Sequence, residues 1–92
     1  MHFVYLIITQ SKKKNISYVG YTSNLKKRII MHNTSKGAKF TRGRYWKLIY
    51  YKEYITKKKA LKEEYKLKNN FKLRNIIKQK YLKNENIDFI TL

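Results

Sequence analysis

Six consecutive residues near the start of the chain, Phe3 to Ile8, are apolar or aromatic, and His2 and Thr9 flank them. In an extended strand successive side chains alternate, so Phe3, Tyr5 and Ile7 point one way and Val4, Leu6 and Ile8 the other. Both sides are apolar, so the strand has to be covered on both faces. The run falls far short of the ~18 apolar residues of a membrane span. With 92 residues in all, the chain has room for one small domain built around that strand.

The remaining segments supply partners for it. Residues 10–16 read as a polar connection and Ser17 to Thr22 as a second strand, giving a hairpin with a basic tip. Ser23 or Asn24 can cap a helix starting at Leu25. Asn33 to Arg44 is a loop of Gly, Thr, Ser, Lys and Arg, and Tyr45 to Tyr54 is a third, aromatic strand. Thr56 caps a helix over about 57–68, and Phe71 to Leu82 has near-helical spacing. Asn84 to Leu92 is expected to be irregular. The expected fold is α+β, a three-stranded antiparallel sheet flanked by helices in the order β-β-α-β-α-α. One domain spans 1–92, with its core over about 2–68 and a C-terminal helix and tail over 71–92.

Charge narrows the partners. The chain holds 23 Lys and Arg against 5 Asp and Glu, a net charge of +18. An AT-biased codon supply exchanges Arg for Lys, but it does not remove Glu, so acids are scarce for another reason. A fold this small that repels itself is matched to a polyanion. Nucleic acid is the expected partner, with an anionic membrane surface or ribosomal RNA as the competing explanations. Basic and aromatic residues are interleaved, which suits phosphate contacts combined with base stacking. The absence of Cys excludes a disulfide framework, a thiolate zinc site and a Cys nucleophile. No signal peptide is evident, so a cytoplasmic protein is expected.

Several residues could carry chemistry together. Tyr5 and Tyr18 share a face of the hairpin only if paired residue numbers sum to an odd value, near 23 or 25. Arg28 and His32 lie at i, i+4 on the helix that follows, and Arg offers a planar fork suited to phosphate. Glu64 sits mid-helix in a chain poor in acids, where a carboxylate can serve as a hard oxygen ligand for Mg²⁺. Glu64 with Lys68 is also an ordinary helix pair, and Glu63 is an equal candidate on spacing alone.

These residues carry a resemblance. Val4-Tyr5-Leu6, Tyr18-Val19-Gly20, and Asn24-Leu25-Lys26-Lys27-Arg28 with His32 resemble the signature of the GIY-YIG nuclease superfamily. Lys36-Gly37-Ala38-Lys39-Phe40-Thr41-Arg42-Gly43-Arg44 resembles a loop of its small stand-alone bacterial branch, which is similar to the nuclease domain of the Slx-type endonucleases. Ala60-Leu61-Lys62-Glu63-Glu64-Tyr65 with Lys68 resembles that branch's Glu-bearing helix, and there Glu64 takes the metal-ligand position. The first Gly of the family name is absent here, where the triplet is Phe3-Val4-Tyr5. A late Asn found near the metal in other branches has five candidates, Asn69, Asn70, Asn75, Asn84 and Asn86.

The resemblance implies a metal-dependent endonuclease hydrolysing phosphodiester bonds in branched or distorted DNA, in repair or recombination. It implies one Mg²⁺ or Mn²⁺ ion at Glu64, with Arg28 stabilising phosphoryl charge, Tyr5 taking the proton of the attacking water, and Tyr18 and His32 in support. An unperturbed phenol, pKa ~10, is a poor base at neutral pH, so a neighbouring cation (the metal, Arg28 or a Lys) is expected to favour its ionised form. Gly20 is expected to admit a close approach, and Lys36, Lys39, Arg42 and Arg44 to hold flanking phosphates. A monomer acting on DNA, or on RNA, is expected, with no membrane and no small-molecule cofactor. The alternative is a non-catalytic basic module that binds DNA or RNA on the same fold. On either reading, the logarithm of the affinity for duplex DNA should fall with the logarithm of salt, by ~0.9 for each phosphate neutralised. Anisotropy titrations at several salt concentrations measure that slope, and a flat response would remove phosphate contact as the basis of binding.

Overall fold

The computed structural model describes residues 1–11, 14–34 and 38–91. The elements run β1 (His2–Ser11), β2 (Lys14–Thr22), α1 (Leu25–Asn33), a single 3-10 turn (Lys39–Thr41), β3 (Lys47–Tyr54), α2 (Lys57–Lys68) and α3 (Phe71–Thr91). The sheet order is β2-β1-β3, with both pairings antiparallel. The doubly apolar strand is therefore central, and Val4 through Ile8 are all buried.

Each face of β1 nucleates its own core. Tyr5 and Ile7 pack with Trp46, and Ile16, Tyr18, Leu48 and, from α1, Leu25 and Ile29 close around them. Val4 and Leu6 pack on the opposite face with Val19, and Ala60 and Leu67 of α2 cover them. A β-bulge in β3 serves both layers. Leu6 pairs with Tyr50 but Ile7 pairs with Leu48, leaving Ile49 as the extra residue. Ile49 and Tyr50 both join the α2 side, while Leu48 joins the α1 side.

Three helix starts are capped by side chains. The Asn24 and Asn70 carboxamide oxygens accept from Lys27 N and Leu73 N at 3.1 and 3.0 Å, and the Thr56 hydroxyl oxygen accepts from Lys59 N at 3.2 Å. Of the two candidate caps for α1, Asn24 is the one used.

The expected boundaries need three corrections. The expected connection over residues 10–16 largely belongs to the strands: Thr9 pairs with Ile16, Gln10 with Asn15 and Ser11 with Lys14, because a polar hairpin can extend its backbone ladder beyond the covered part of the sheet, and residues 12 and 13 lie outside the described residues. The third strand starts at Lys47, not Tyr45. Trp46 is withheld from the ladder by Asn33, whose side chain accepts from Trp46 N at 2.6 Å and donates to Trp46 O at 3.0 Å. The segment from Asn84 is helical through Thr91, not irregular. No Gly or Pro follows Gly43, so nothing in the sequence imposes a stop.

Gly20 lies directly opposite Tyr5 in the hairpin. A Cβ at that position would fall against Cζ and Oη of the Tyr5 ring. The ring is buried, so it has no open space to retreat into. Gly20→Ala is therefore expected to destabilise the fold by ~1–3 kcal/mol, the usual range for overpacking. A lower urea midpoint with an unchanged slope would show it, and an unaltered midpoint would mean that the ring passes over Gly20 without needing its missing side chain.

Candidate active site

The β1–β2 register pairs Phe3 with Thr22 and Tyr5 with Gly20, so paired numbers sum to 25. The sum is odd, and Tyr18, two residues from Gly20, shares the face of Tyr5. α1 covers that face and brings in Arg28 and His32. The Tyr5 hydroxyl lies 2.7 Å from His32 Nε2, with both residues fully buried. The Tyr18 ring meets the His32 ring edge-on, with centroids 5.4 Å apart.

The hydrogen bonds fix where the protons sit. The Thr41 hydroxyl donates to the Ala38 carbonyl at 2.8 Å, which uses its single hydrogen. The 2.9 Å contact between His32 Nδ1 and Thr41 Oγ1 must therefore have Nδ1–H as the donor. A neutral His32 then has an unprotonated Nε2, which accepts the Tyr5 proton. The Thr41 carbonyl in turn accepts from the Trp46 indole at 2.9 Å, which ties the 3-10 turn to the core.

Burial holds His32 down at about 4, and the Arg28 guanidinium adds to the effect. The imidazole is accordingly neutral near pH 7. Burial also pushes the Tyr5 phenol up to about 12, with Arg28 opposing the rise and Tyr18 and Glu64 adding to it. Of the cations expected to favour the phenolate, Arg28 acts in that sense, but desolvation outweighs it. Among the described residues Arg28 Nε is itself buried without a hydrogen-bond partner.

The two glutamates of α2 separate cleanly. Glu63 pairs with Lys66 at 3.2 Å and Lys59 at 3.6 Å, so Lys66 foremost draws its carboxyl below the usual range. Its charge acts on Tyr54, on the β3 side. Glu64 shares the inward side of α2 with Ala60 and Leu67, by i+4 and i+3 spacing, and its charge acts on Tyr5. It pairs with Lys68 at 3.7 Å, a half-exposed contact worth ~0–1 kcal/mol. α2 lies on the sheet face opposite α1, so Tyr5 and Glu64 influence one another past β2, an edge strand. An open groove of about 270 Å³ crosses that edge, lined by Ser17, Tyr18, Val19, Phe40, Lys68 and Arg74.

The surrounding residues fall as follows. Arg44 has its guanidinium 5.5 Å from the Phe40 ring centroid. Lys39 and Arg42 are exposed on and beside the 3-10 turn. Lys36 lies outside the described residues. Asn69 donates to Tyr65 O at 2.9 Å and Asn70 caps α3, so both already have structural partners. Asn75 is exposed on α3, and the side chains of Asn84 and Asn86 lie outside the description. Thr41, Asn33 and Trp46 escaped the sequence reading. Their roles depend on hydrogen bonds between segments that no local spacing encodes.

The His32 environment carries a pH signature. Its pKa is lower in the fold than the 6.5 of an unperturbed imidazole, so the unfolded chain takes up the proton first. The stability contributed by this burial is present above about pH 6.5 and is lost as pH falls through about 4. NMR should show His32 neutral at pH 5.5 with the proton on Nδ1. Thr41→Val removes the acceptor of that proton and should destabilise the fold by ~1–3 kcal/mol. An imidazole that titrates near 6.5 in the folded protein would contradict the buried network.

The model of the GIY-YIG catalytic domain matches residues 1–83. The chain is 44% identical over 63 residues to the UPF0213 protein OB0043 of Oceanobacillus iheyensis, covering 67% of this chain and 70% of that protein. It is 48% identical over 47 residues to a UPF0213 protein of Bacillus pumilus, covering 50% of this chain and 48% of that one. It is 36% identical over 61 residues to the UPF0213 protein spr1390 of Streptococcus pneumoniae, covering 65% of this chain and 61% of that one. No solved structure matches. Among the described residues no helix is long and apolar enough to cross a membrane. The family match extends over the hairpin, α1, the 3-10 turn, β3 and α2, every element that contributes to the site, and the chain belongs to the GIY-YIG catalytic-domain family.

Proposed function

We propose that this protein is a metal-dependent DNA endonuclease that hydrolyses phosphodiester bonds in branched or distorted DNA. The observation that carries the reading is the hydrogen bond from Tyr5 Oη to the unprotonated Nε2 of a neutral, buried His32, set beside the unpartnered Nε of Arg28. A proton acceptor and an anion-seeking donor lie side by side, which is what attack of water on a phosphate diester requires.

Glu64 is the residue that would hold the divalent ion, Mg²⁺ or Mn²⁺. Among the described residues no group of three or more His, Cys, Asp or Glu converges on a point. A single hard oxygen donor fits an ion that keeps most of its waters and leans on substrate phosphate. Lys68 holds Glu64 only weakly and can be displaced. When bound, such an ion neutralises charge on the phosphoryl oxygens and acidifies water.

The protein's own groups do the rest. A phosphate oxygen satisfies Arg28 Nε and lets the guanidinium offset charge that builds up in the transition state. Tyr5 need not ionise beforehand. As water attacks phosphorus and the P–O bond to the leaving strand breaks, the water's proton passes to Tyr5 Oη while the Tyr5 proton passes to His32 Nε2, the phenol ends neutral, and the departing alkoxide takes a proton from solvent. Thr41 Oγ1 keeps the imidazole in the tautomer that can accept. Tyr18, packed on His32, orients the phosphate or the water. Lys39, Arg42 and Arg44 supply contacts to flanking phosphates, as Lys36 would.

The test uses labelled duplex, flap and single-stranded DNA with Mg²⁺, Mn²⁺ or EDTA. Cutting should require metal, and Glu64→Gln should abolish it while binding persists. Tyr5→Phe removes the proton carrier and should lower the rate by ~10²–10⁴-fold with little change in affinity. Equal cutting by Glu64→Gln would reject the role of Glu64. Tight binding with no cutting of any substrate would leave the non-catalytic nucleic-acid-binding module.

A further inference from the structure

Phe40 is the second residue of the 3-10 turn and keeps 52% of its surface exposed. Lone exposed apolar residues are ordinary, but this one has built surroundings. Its ring is stacked on Tyr18, with centroids 6.1 Å apart and planes at 20°. The Arg44 guanidinium lies 5.5 Å from its centroid. Phe40, Tyr18, Lys68 and Arg74 line one groove. The turn that carries it closes on itself through Thr41 N–H to Ala38 O at 3.0 Å and is tied to the core through Thr41, which bonds His32 and Trp46. A ring held this firmly, half in water and surrounded by cations, is a stacking surface rather than a core filler.

We infer that Phe40 stacks on an unpaired nucleobase next to the bond to be cut, and so selects DNA with a single-stranded nucleotide at that position. The inference rests on the proposed nuclease reading and names the structural class of its substrate. Tyr18 belongs to the site, so a base laid on its neighbour Phe40 is attached to a phosphate close to Arg28. Every base has a π-face, so the contact is tolerant of sequence. A base inside a duplex would first have to unstack and unpair to present that face, whereas a flap, gap or overhang offers it directly. Lys68 and Arg74 on one wall supply charge for the strand's phosphates, as a channel for single strands requires, and Arg44, which lies over the ring, would swing from it to a phosphate as the base stacks.

The test is a binding measurement in EDTA, where no cutting occurs. Oligonucleotides carry a 2-aminopurine at successive positions of a single-stranded overhang, with the matched duplex as control. The wild-type protein should quench the probe at one overhang position and bind the overhang more tightly than the duplex. Phe40→Leu should abolish the quench and weaken overhang binding by roughly tenfold, leaving duplex binding within about twofold. Phe40→Trp should restore both. Absence of any positional quench with wild-type protein, or quench and preference unchanged in Phe40→Leu, would overturn the inference even if the protein cuts DNA. A Phe40-dependent quench in a protein that cuts nothing would uphold the stacking and leave the hydrolytic reading to fail alone.

Discussion

The structure depends on keeping one imidazole neutral and buried. His32 is fully buried and hydrogen-bonded at both ring nitrogens, to Tyr5 of the central strand and to Thr41 of the 3-10 turn. Each such bond adds only ~0.5–1.5 kcal/mol net, but leaving a buried partner unsatisfied costs more. The three residues therefore hold one another in place. β1 fixes the phenol, α1 the imidazole, and the turn is held by Trp46. Removing any one leaves a buried polar atom without its partner. The hydroxyl of Thr41 also decides which nitrogen of His32 carries the proton, leaving Nε2 as the acceptor for Tyr5.

Charge shapes the rest. At +18 the chain repels itself, and compactness has to come from the two thin cores on either side of β1. Much of the excess is carried by α2, where Lys57, Lys58, Lys59, Lys62, Lys66 and Lys68 are exposed while Ala60 and Leu67 face the sheet. Two of the five acids, Glu63 and Glu64, are also on this helix, adjacent in sequence and opposite in use. Glu63 is clamped between two lysines of its own helix. Glu64 is turned toward the edge of β2 and held loosely.

Much of this was legible in the residues. Alternation in Phe3 to Ile8 required a strand covered on both faces, and the caps Asn24 and Thr56 located two helix starts, because those signals are local. The shared face of Tyr5 and Tyr18 reduced to a single parity, which the register supplies. Which of Glu63 and Glu64 shares the side of α2 that carries Ala60 and Leu67 was not used to choose between them on spacing alone, since both fit an ordinary helix pair; it depends on which side of α2 faces the sheet. Trp46 read as a strand residue because nothing local reveals that Asn33, thirteen positions away, takes its backbone bonds. The depth of Tyr5 was hidden for a related reason. A sequence displays the cation at Arg28 but not the burial of the phenol, and burial outweighs Arg28.

Arg28 connects the resting site to the proposed reaction. Its charge helps to keep His32 unprotonated, second to burial, and among the described residues its Nε has no hydrogen-bond partner. On the proposed reading a phosphate oxygen would satisfy Nε and offset the guanidinium charge felt by the imidazole. That would ease only the smaller of the two effects that hold His32 down, because the burial would remain. In that reading no ionised tyrosine has to be maintained in a pocket that disfavours it, and Arg28 serves chiefly to take up the charge that builds on the phosphoryl oxygens.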